Sequence, residues 1–327
     1  MKVLKKLLTN PTSLAGILLL IAFAGVALFA PQIAPVPERS RDPQMIPRDG
    51  FSTTPKPPSE EHPFGTTEGQ YDIFYGVVWG TRTAFRVGVV ITLITTLVGL
   101  AVGAIAAYYG GWVDELLMRI TEIFQAFPYL LAAITLSSVL QTIYGRGEAA
   151  GLMFLAKLLA FLTFGHDLRE PVDPIQLSVL TGMIAIIAFG WMTYARVIRG
   201  NILAIRDQEY AMAAETIGAS GPHILFKHLM PNAVFPVLVI ASMDIGSYVL
   251  SFASLSFLGL GAQVGYADWG QMISFARNWI PSLATYWYIV AYPGITIVLF
   301  VLAWNLVGDA LRDILDPRLR RGKGAGI

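Results

Sequence analysis

Six long apolar runs constrain the fold of this chain more than any other feature of its sequence. A helix that crosses a bilayer needs about 20 mostly apolar residues, because its backbone polar groups must be satisfied without water. The runs are Leu14–Ala30, Val87–Tyr109, Ile120–Ile143, Leu177–Ile198, Ala233–Leu258 and Tyr286–Val307. The sequence therefore predicts an all-α integral membrane protein with about six transmembrane helices.

Composition supports this fold class and excludes several functions. Of the 327 residues, 55% are hydrophobic and 14% are charged, whereas soluble domains carry about 25% charged residues. The net charge is +1 and the sequence has no basic tract, so it does not predict the positively charged surface that binds nucleic acid. Because the chain has no cysteine, disulfides, Cys-ligated zinc and thiol nucleophiles are excluded.

The distribution of Lys and Arg predicts the orientation of the helices. With six crossings, four segments lie on one side: those before the first run, between the second and third, between the fourth and fifth, and after the sixth. They contain Lys2, Lys5, Lys6, Arg119, Arg196, Arg199, Arg206, Lys227, Arg312, Arg318, Arg320, Arg321 and Lys323. The opposing segments also contain arginines, so Lys and Arg are concentrated on one side but not confined to it. The positive-inside rule predicts that the four segments, and hence both termini, are cytoplasmic.

The apolar runs divide the chain into a series of predicted segments. Residues 1–30 are predicted to be a cytoplasmic tail and an uncleaved first helix, and residues 31–86 an extended external connector of polyproline character. Tyr71–Phe85 is interpreted as an interfacial amphipathic helix, or alternatively as an early start of the second crossing. The core, 87–309, carries an external insert, 145–176, and a cytoplasmic loop, 199–232; a cytoplasmic tail, 310–327, follows. The insert contains a 13-residue apolar stretch, "LMFLAKLLAFLTF", which is too short to span and predicts a hairpin or interfacial helix.

The polar stretch "EYAMAAETIGASGPHILFKHLMPN", residues 209–232, is predicted to form a helix, a turn and a second helix in the cytoplasm. Alanines favour the first helix, Gly218 supplies its C-terminal stop, and "ASGP" favours a turn before His223–Leu229. A structured loop of this length favours a docking surface, against which Ala213 and Ala214 would seat closely. The alternative is an amphipathic segment on the lipid headgroups.

The loop resembles the EAA loop of bacterial ATP-binding-cassette (ABC) importer permeases. That pattern is Glu-Ala-Ala, three residues, Gly, nine residues, and then Ile-x-Leu-Pro. In this chain it falls on Met212, Ala213, Ala214, Gly218, His228, Leu229, Met230 and Pro231. The spacing is kept, whereas Met212, His228 and Met230 differ from the residues of the pattern.

Further stretches are similar to the dipeptide, oligopeptide and nickel subfamily, in particular its second permease subunit. They are "HPFGT", "YYGGWVDELLMR", "FP", "ASLSFLGLG", "DWGQMI", "YPG" and "NLVGDALRDILDPRLR", in order from His62 to Arg320. Two features depart from the subfamily: the residues after "HPFGT", where Asp-x-x-Gly-Arg-Asp is usual, and the length of Gly145–Gln176.

The resemblance implies a type I ABC importer (MetI-like) permease fold in the inner (plasma) membrane. It implies a homologous permease subunit, two cytoplasmic ATPase subunits that bind ATP and Mg²⁺, and an external substrate-binding protein. Di- or oligopeptides are the first expected substrates, and oligosaccharides or nickel chelates are the alternatives. The residues expected to contact the ATPase are Glu209, Tyr210, Met212, Ala213, Ala214, Glu215, Gly218, Ala219, His228 and Pro231.

The residues indicate no catalytic centre. The chain has no phosphate-loop motif, and its four histidines lie apart in the sequence, so no enzyme activity, cofactor or metal is predicted. Asp244 lies within an apolar run, where a carboxylate is costly unless it faces water or a partner. It is interpreted as lining a translocation pathway with Ser247 and Ser251, or as a structural carboxylate bonded to Ser242, Ser247 or a neighbouring subunit.

Two other kinds of function remain open from the residues alone. A membrane assembly or tethering protein would also present a structured cytoplasmic loop. A secondary transporter would need internal repeats and several buried charges, which the sequence does not show.

Overall fold

The computed structural model describes residues 10–38, 40, 42–145 and 150–315. The first nine residues, positions 146–149 of the insert, most of the C-terminal tail and the Glu215 side chain lie outside this description. The helices are α1 Pro11–Leu28, α2 Ala30–Ile33, α3 Ile73–Tyr109, α4 Gly111–Gln125, α5 Tyr129–Gly145, α6 Ala150–Phe164, α7 Pro174–Gly190, α8 Met192–Ile205, α9 Glu209–Thr216, α10 Gly221–Ile224, α11 Met230–Ala233, α12 Phe235–Phe257, α13 Trp269–Ser274, α14 Leu283–Tyr286 and α15 Tyr288–Leu315.

The described residues are mostly helical and contain no named strand. Five helical segments are long and apolar enough to cross a membrane: α1, α3, α7 with α8, α12 and α15. A sixth is obtained if α4 and α5, which meet at a sharp bend, count as one span. The prediction of about six apolar spans in an all-α chain is therefore confirmed.

The third predicted run, Ile120–Ile143, is not one straight helix. It is divided between α4 and α5, whose axes differ by 86° across a short break. The physical reason is Pro128, which cannot donate a backbone hydrogen bond and disfavours helical geometry at Phe127 before it. The polar residues of α4, including Asp114 and Arg119, agree with a helix that is not wholly embedded in lipid.

The second crossing begins earlier than its apolar run. Helix α3 is continuous over 37 residues, starting where the Asp72 carboxylate accepts a hydrogen bond from the backbone N–H of Tyr75 at 2.7 Å. The helix predicted at Tyr71–Phe85 is the first part of α3 and is continuous with the second crossing, so the alternative of an early start describes the structure. At about 55 Å, α3 is longer than the hydrocarbon core of a bilayer, so its polar first turns need not enter that core.

Small residues bring the long helices close together. A side chain at Gly99 or Gly103 of α3 would collide with the backbone of α8 around Trp191 and Ala195. Gly246 of α12 lies against the backbone of Val301 in α15, where an added methyl group would come within 3.0 Å. Such close contacts replace the hydrophobic driving force that is missing between helices in lipid.

The segment after α2 is folded onto the helices rather than extended as a free connector. Ile46 is buried, and Met45 pairs with Tyr266 in an isolated bridge. The hydroxyl of Tyr75 donates to the carbonyl of Pro43 at 2.8 Å. Residues of this segment and of the first turns of α3 therefore pack into one unit, called the cap here, at the start of α3.

The insert contributes helix α6, which is too short to span, as its apolar stretch predicts. Ala156 and Ala160 are fully buried in the same core cluster as residues of α3 and α7. The opposite face exposes Phe154 and Phe161. The insert is thus a packed part of the bundle with one apolar outer face.

A histidine joins two acidic residues within the cap at the start of α3. His62 Nδ1 lies 2.6 Å from Asp72, and its Nε2 lies 3.4 Å from Asp49, which also pairs with Lys56. Burial alone would lower the pKa of His62, but the hydrogen bonds and charges of Asp72 and Asp49 raise it above its usual value of 6.5. His62 therefore links the connector to the helix cap, and most strongly when its imidazole is protonated.

This cluster predicts a pH-dependent cap. Because the folded-state pKa of His62 is raised, its contribution to stability is fully present below about pH 6.5 and is lost as the pH rises through the raised value. Amide hydrogen exchange in residues 49–72, corrected for its intrinsic pH dependence, should be slower at pH 6 than at pH 8. His62→Gln should remove the difference, and a variant that keeps it would contradict this account.

Candidate functional site

The predicted docking loop forms a helix with two different faces. Ala211 and Ala214 of α9 are buried, and Ala211 belongs to the main apolar cluster with Leu225 and Leu229 from the following turns. The outer face carries Tyr210, Met212, Ala213 and, just beyond the helix, Ile217, which is 84% exposed. Phe226 is 68% exposed in the same loop. An exposed apolar surface in a polar loop is typical of a site that contacts a protein or a membrane surface.

Gly218 ends helix α9 in the left-handed conformation, at a φ of +83°. The backbone N–H of Ala219 donates to the carbonyl of Ala214 at 3.1 Å, which closes the helix end in the manner of a Schellman motif. Glycine adopts this conformation without the steric cost of a Cβ atom. The role of helix stop predicted for Gly218 is confirmed.

The second half of the loop is a continuous helical turn rather than a single short helix. Helix α10 passes into a π-helical turn, Leu225–Leu229, and then into α11. Pro231 lies in the first turn of α11 and is exposed, while His228 is half-buried. The rings of His223 and His228 are 5.8 Å apart, so these two histidines do not lie apart in space. No group of three or more potential metal ligands occurs among the described residues.

Three contacts join the loop, directly or through α8, to the long helices. Gly221 lies directly against the ring of Tyr108, in the last turn of α3. The side-chain amide of Asn201 in α8 donates to the carbonyl of Ala233 at 3.0 Å. Arg199, also in α8, forms two hydrogen bonds of 2.5 Å with Asp114 of α4. The loop is thus packed against α3 and bonded to α8, and α8 is in turn bonded to α4.

The structure corrects one part of the predicted contact surface. Ala214 is buried against its own chain, because it lies one turn from Ala211 on the inner face of α9. It is not available to seat a partner, whereas Ala213 is exposed. The side chain of Glu215 lies outside the described residues.

Asp244 faces a cavity of about 430 Å³ rather than a serine partner. Its carboxylate accepts a hydrogen bond of 2.6 Å from the hydroxyl of Tyr194 in α8. The wall of the cavity is formed by the bend between α4 and α5, the junction of α7 and α8, and two residues of α12; the lining includes Phe124, Phe127, Phe189, Arg196, Asp244 and Tyr248. One carboxylate, one guanidinium and several aromatic rings thus share one space at two helix breaks.

Ser247 and Ser251 do not line this cavity. Ser251 donates its hydroxyl to the backbone carbonyl of Ser247 at 2.9 Å, within helix α12. Tyr194, Tyr248 and the bend at Pro128 are parts of the site that the sequence alone did not indicate. Tyr248 lies one helical turn after Asp244, which was a usable signal, whereas Tyr194 lies on a distant part of the chain.

Comparison with known proteins now identifies the family. Residues 99–321, more than half of the chain, match the family described as "Binding-protein-dependent transport system inner membrane component". The chain belongs to this family. It is therefore a membrane-embedded transport permease subunit rather than an enzyme.

Further similarities cover the rest of the permease chain. Residues 2–58 match the N-terminal transmembrane domain of oligopeptide transport permease C. The dipeptide transport system permease protein DppC of Alkalihalophilus pseudofirmus is 32% identical over 316 residues, covering 97% of this chain and 89% of that protein. The oligopeptide permease protein OppC of Bacillus subtilis is 32% identical over 318 residues, covering 96% and 88%. The glutathione permease protein GsiD of Pectobacterium atrosepticum is 34% identical over 263 residues, covering 80% and 75%.

Proposed function

We propose that this permease is one half of the translocation pathway of an ATP-driven importer. A homologous permease forms the other half, two cytoplasmic ABC ATPases drive it, and an external binding protein delivers the solute. The N- and C-termini and the loop at 199–232 lie on the cytoplasmic side. The observation that carries the proposal is helix α9, which buries one face and exposes an apolar opposite face where the EAA loop falls.

Helix α9 is the element through which the ATPases act. One of the two ATPases would receive the outer face of this helix in a groove, and ATP-driven closure of the ATPase pair would displace it. Because the loop contacts Tyr108 of α3 and is joined to α8 through Asn201, that displacement would tilt both long helices. Rigid-body tilting of packed helices is an established means of switching a binding site between two sides.

The transported solute is a di- or oligopeptide. This assignment rests on the peptide substrates in the names of the similar permeases. The cavity at Asp244 supports it, since a carboxylate and the guanidinium of Arg196 in an aromatic space match the amine and carboxylate of a peptide. Oligosaccharide or nickel-chelate transport would be recognised as uptake that peptides do not inhibit.

The pathway role of Asp244 predicts a selective loss of uptake. Asp244→Asn keeps the size of the side chain and its acceptor for Tyr194, but removes the charge that would meet a peptide amine. Because hydrogen bonds to charged groups exceed neutral ones by about 1 kcal/mol or more, peptide uptake should fall at least about five-fold. The amount of assembled complex should not change.

Tyr194→Phe is the matched control for this prediction. It removes the hydrogen bond but leaves the carboxylate, so it should retain most uptake if the carboxylate itself meets the solute. Unchanged uptake by Asp244→Asn would remove Asp244 from the pathway. Loss of assembly in both variants would assign the pair a structural role instead.

Purification tests the proposed assembly. The tagged chain would be extracted in mild detergent from cells that also express the genes adjacent to its own. It should co-elute with a homologous permease and ABC ATPase subunits. The eluted complex should hydrolyse ATP faster when the peptide-loaded binding protein is added. A chain that elutes alone, or with a cytosolic partner that hydrolyses no ATP, would instead favour a tethering function.

A further inference from the structure

A second cavity, of about 170 Å³, lies beside the early turns of α3, at the end of that helix opposite the loop at Tyr108. Two arginines one helical turn apart, Arg82 and Arg86, line it together with the aromatic rings of Trp79, Phe164 and Tyr266. This cavity is separate from the one at Asp244, with which it shares no lining residue.

Among the described residues, the arginines of this cavity form no ion pair. Arg82 donates from Nε to the carbonyl of Ala27 at 2.6 Å, and its guanidinium lies 5.0 Å from the ring centre of Trp79. Within the described residues Arg86 donates no hydrogen bond and joins no ion pair; it lies 5.9 Å from the ring centre of Phe164. Asp42 also lines the cavity, but among the described residues it forms no ion pair with either arginine.

Both arginine residues are half-buried, so part of the hydration of these side chains has been removed. Arg82 and Arg86 outnumber the one carboxylate on the wall, that of Asp42, and partly buried cations that form no ion pair among the described residues favour the binding of an anion. Gln176 also lines the cavity, and its buried Oε1 atom has no hydrogen-bond partner among the described residues. Rotation of this amide would present its N–H₂ donor to a bound anion instead.

The position of the cavity along the helices indicates which anion it takes. Arg86 immediately precedes the apolar run of α3, Ala27 lies in the last turn of α1, and Gln176 lies in the first turn of α7. The apolar stretches of three helices therefore begin or end at this level, where lipid headgroups meet the hydrocarbon. Beside it, Phe161 and Leu162 of α6 are exposed and would contact acyl chains.

We propose that this cavity binds the phosphate group of an anionic phospholipid. Arg86 supplies charge-assisted hydrogen bonds to the phosphate oxygens, for which a planar guanidinium is well suited. Arg82, held by the carbonyl of Ala27, adds charge and joins α1 to the site. The lipid would thereby connect α1, α3 and the insert helix α6 in the assembled permease.

Thermal unfolding of the purified transporter complex in detergent tests this site. Phosphatidylglycerol should raise the unfolding midpoint of this subunit, whereas a diacylglycerol with the same chains, or inorganic phosphate, should not. Arg86→Gln should require about five-fold more phosphatidylglycerol for the same shift, as expected for the loss of one interfacial cation. Arg169→Gln, which removes an exposed arginine from the insert, should respond like the unchanged protein.

Each of the following results would contradict the proposed lipid site. An equal shift with inorganic phosphate would assign the cavity to a free anion, and an equal shift with diacylglycerol would show that the phosphate is not recognised. An unchanged lipid response in Arg86→Gln would also overturn the proposal. If Arg86→Gln does not assemble, Arg86→Lys, which keeps the charge but not the planar donor pair, should assemble and bind the lipid more weakly; full lipid binding by Arg86→Lys would refute the role of the guanidinium.

Discussion

Replacing Gly218 with valine is expected to abolish most solute uptake while the chain still reaches the membrane. Gly218 has a φ of +83°, a conformation that costs a β-branched residue about 1–3 kcal/mol. A Cβ atom there would meet no neighbour within 4 Å, so the cost is confined to the backbone. The helix end closed by Ala219 and Ala214 would open, and the outer face of α9 would no longer be held in place.

The measurements are peptide uptake, membrane abundance and the amount of ATPase that co-purifies. Gly165→Val is the matched control, because Gly165 also ends a helix with positive φ and with no neighbour within 4 Å, but lies in the insert. It should retain uptake. Equal losses in both variants would indicate a general effect of strain, and full uptake with bound ATPase in Gly218→Val would show that this loop is not the coupling element.

Replacing Gly103 with valine is expected to prevent the chain from forming a stable bundle. A Cβ atom at this position would collide with the backbone carbonyl of Ala195, so α3 and α8 could not keep their separation. Overpacking of a core costs about 1–3 kcal/mol when side chains can move, and a backbone contact relaxes less easily. The variant should accumulate poorly in the membrane and unfold at a markedly lower temperature.

Gly200→Val is the control for helix propensity in this experiment. Gly200 lies within α8, but a Cβ atom there would meet no neighbour within 4 Å. The variant should assemble and unfold like the unchanged protein. If Gly103→Val were equally well tolerated, the close approach of α3 and α8 would not be a determinant of the fold.

Much of the fold could be predicted from the sequence because lipid restricts a spanning segment to a long apolar helix. The helix boundaries were less predictable, because hydropathy reports how well a segment suits lipid and does not report where its helix begins or ends. Pro128 was a visible signal for the break that divides the third run. The start of α3 at Asp72 was less visible, because polar and aromatic residues there are buried by the connector.

The docking loop and the cavity at Asp244 differ in how much of each could be predicted from the sequence. Gly218 could be assigned because its role depends on local chain geometry. The inner position of Ala214 depends on the turns that pack against α9, and the bond between Asp244 and Tyr194 joins two distant helices. Such contacts depend on tertiary packing, which periodicity in one segment does not determine.

Transport by the reconstituted complex tests the central claim most directly. The two permeases and two ATPases would be placed in lipid vesicles with the cytoplasmic loop facing inward, and the labelled peptide would be added outside with its binding protein. We predict that the peptide accumulates only when the vesicles contain ATP and Mg²⁺, and that Gly218→Val greatly reduces this accumulation. Accumulation driven by a proton gradient without ATP, or none with all components present, would contradict the account.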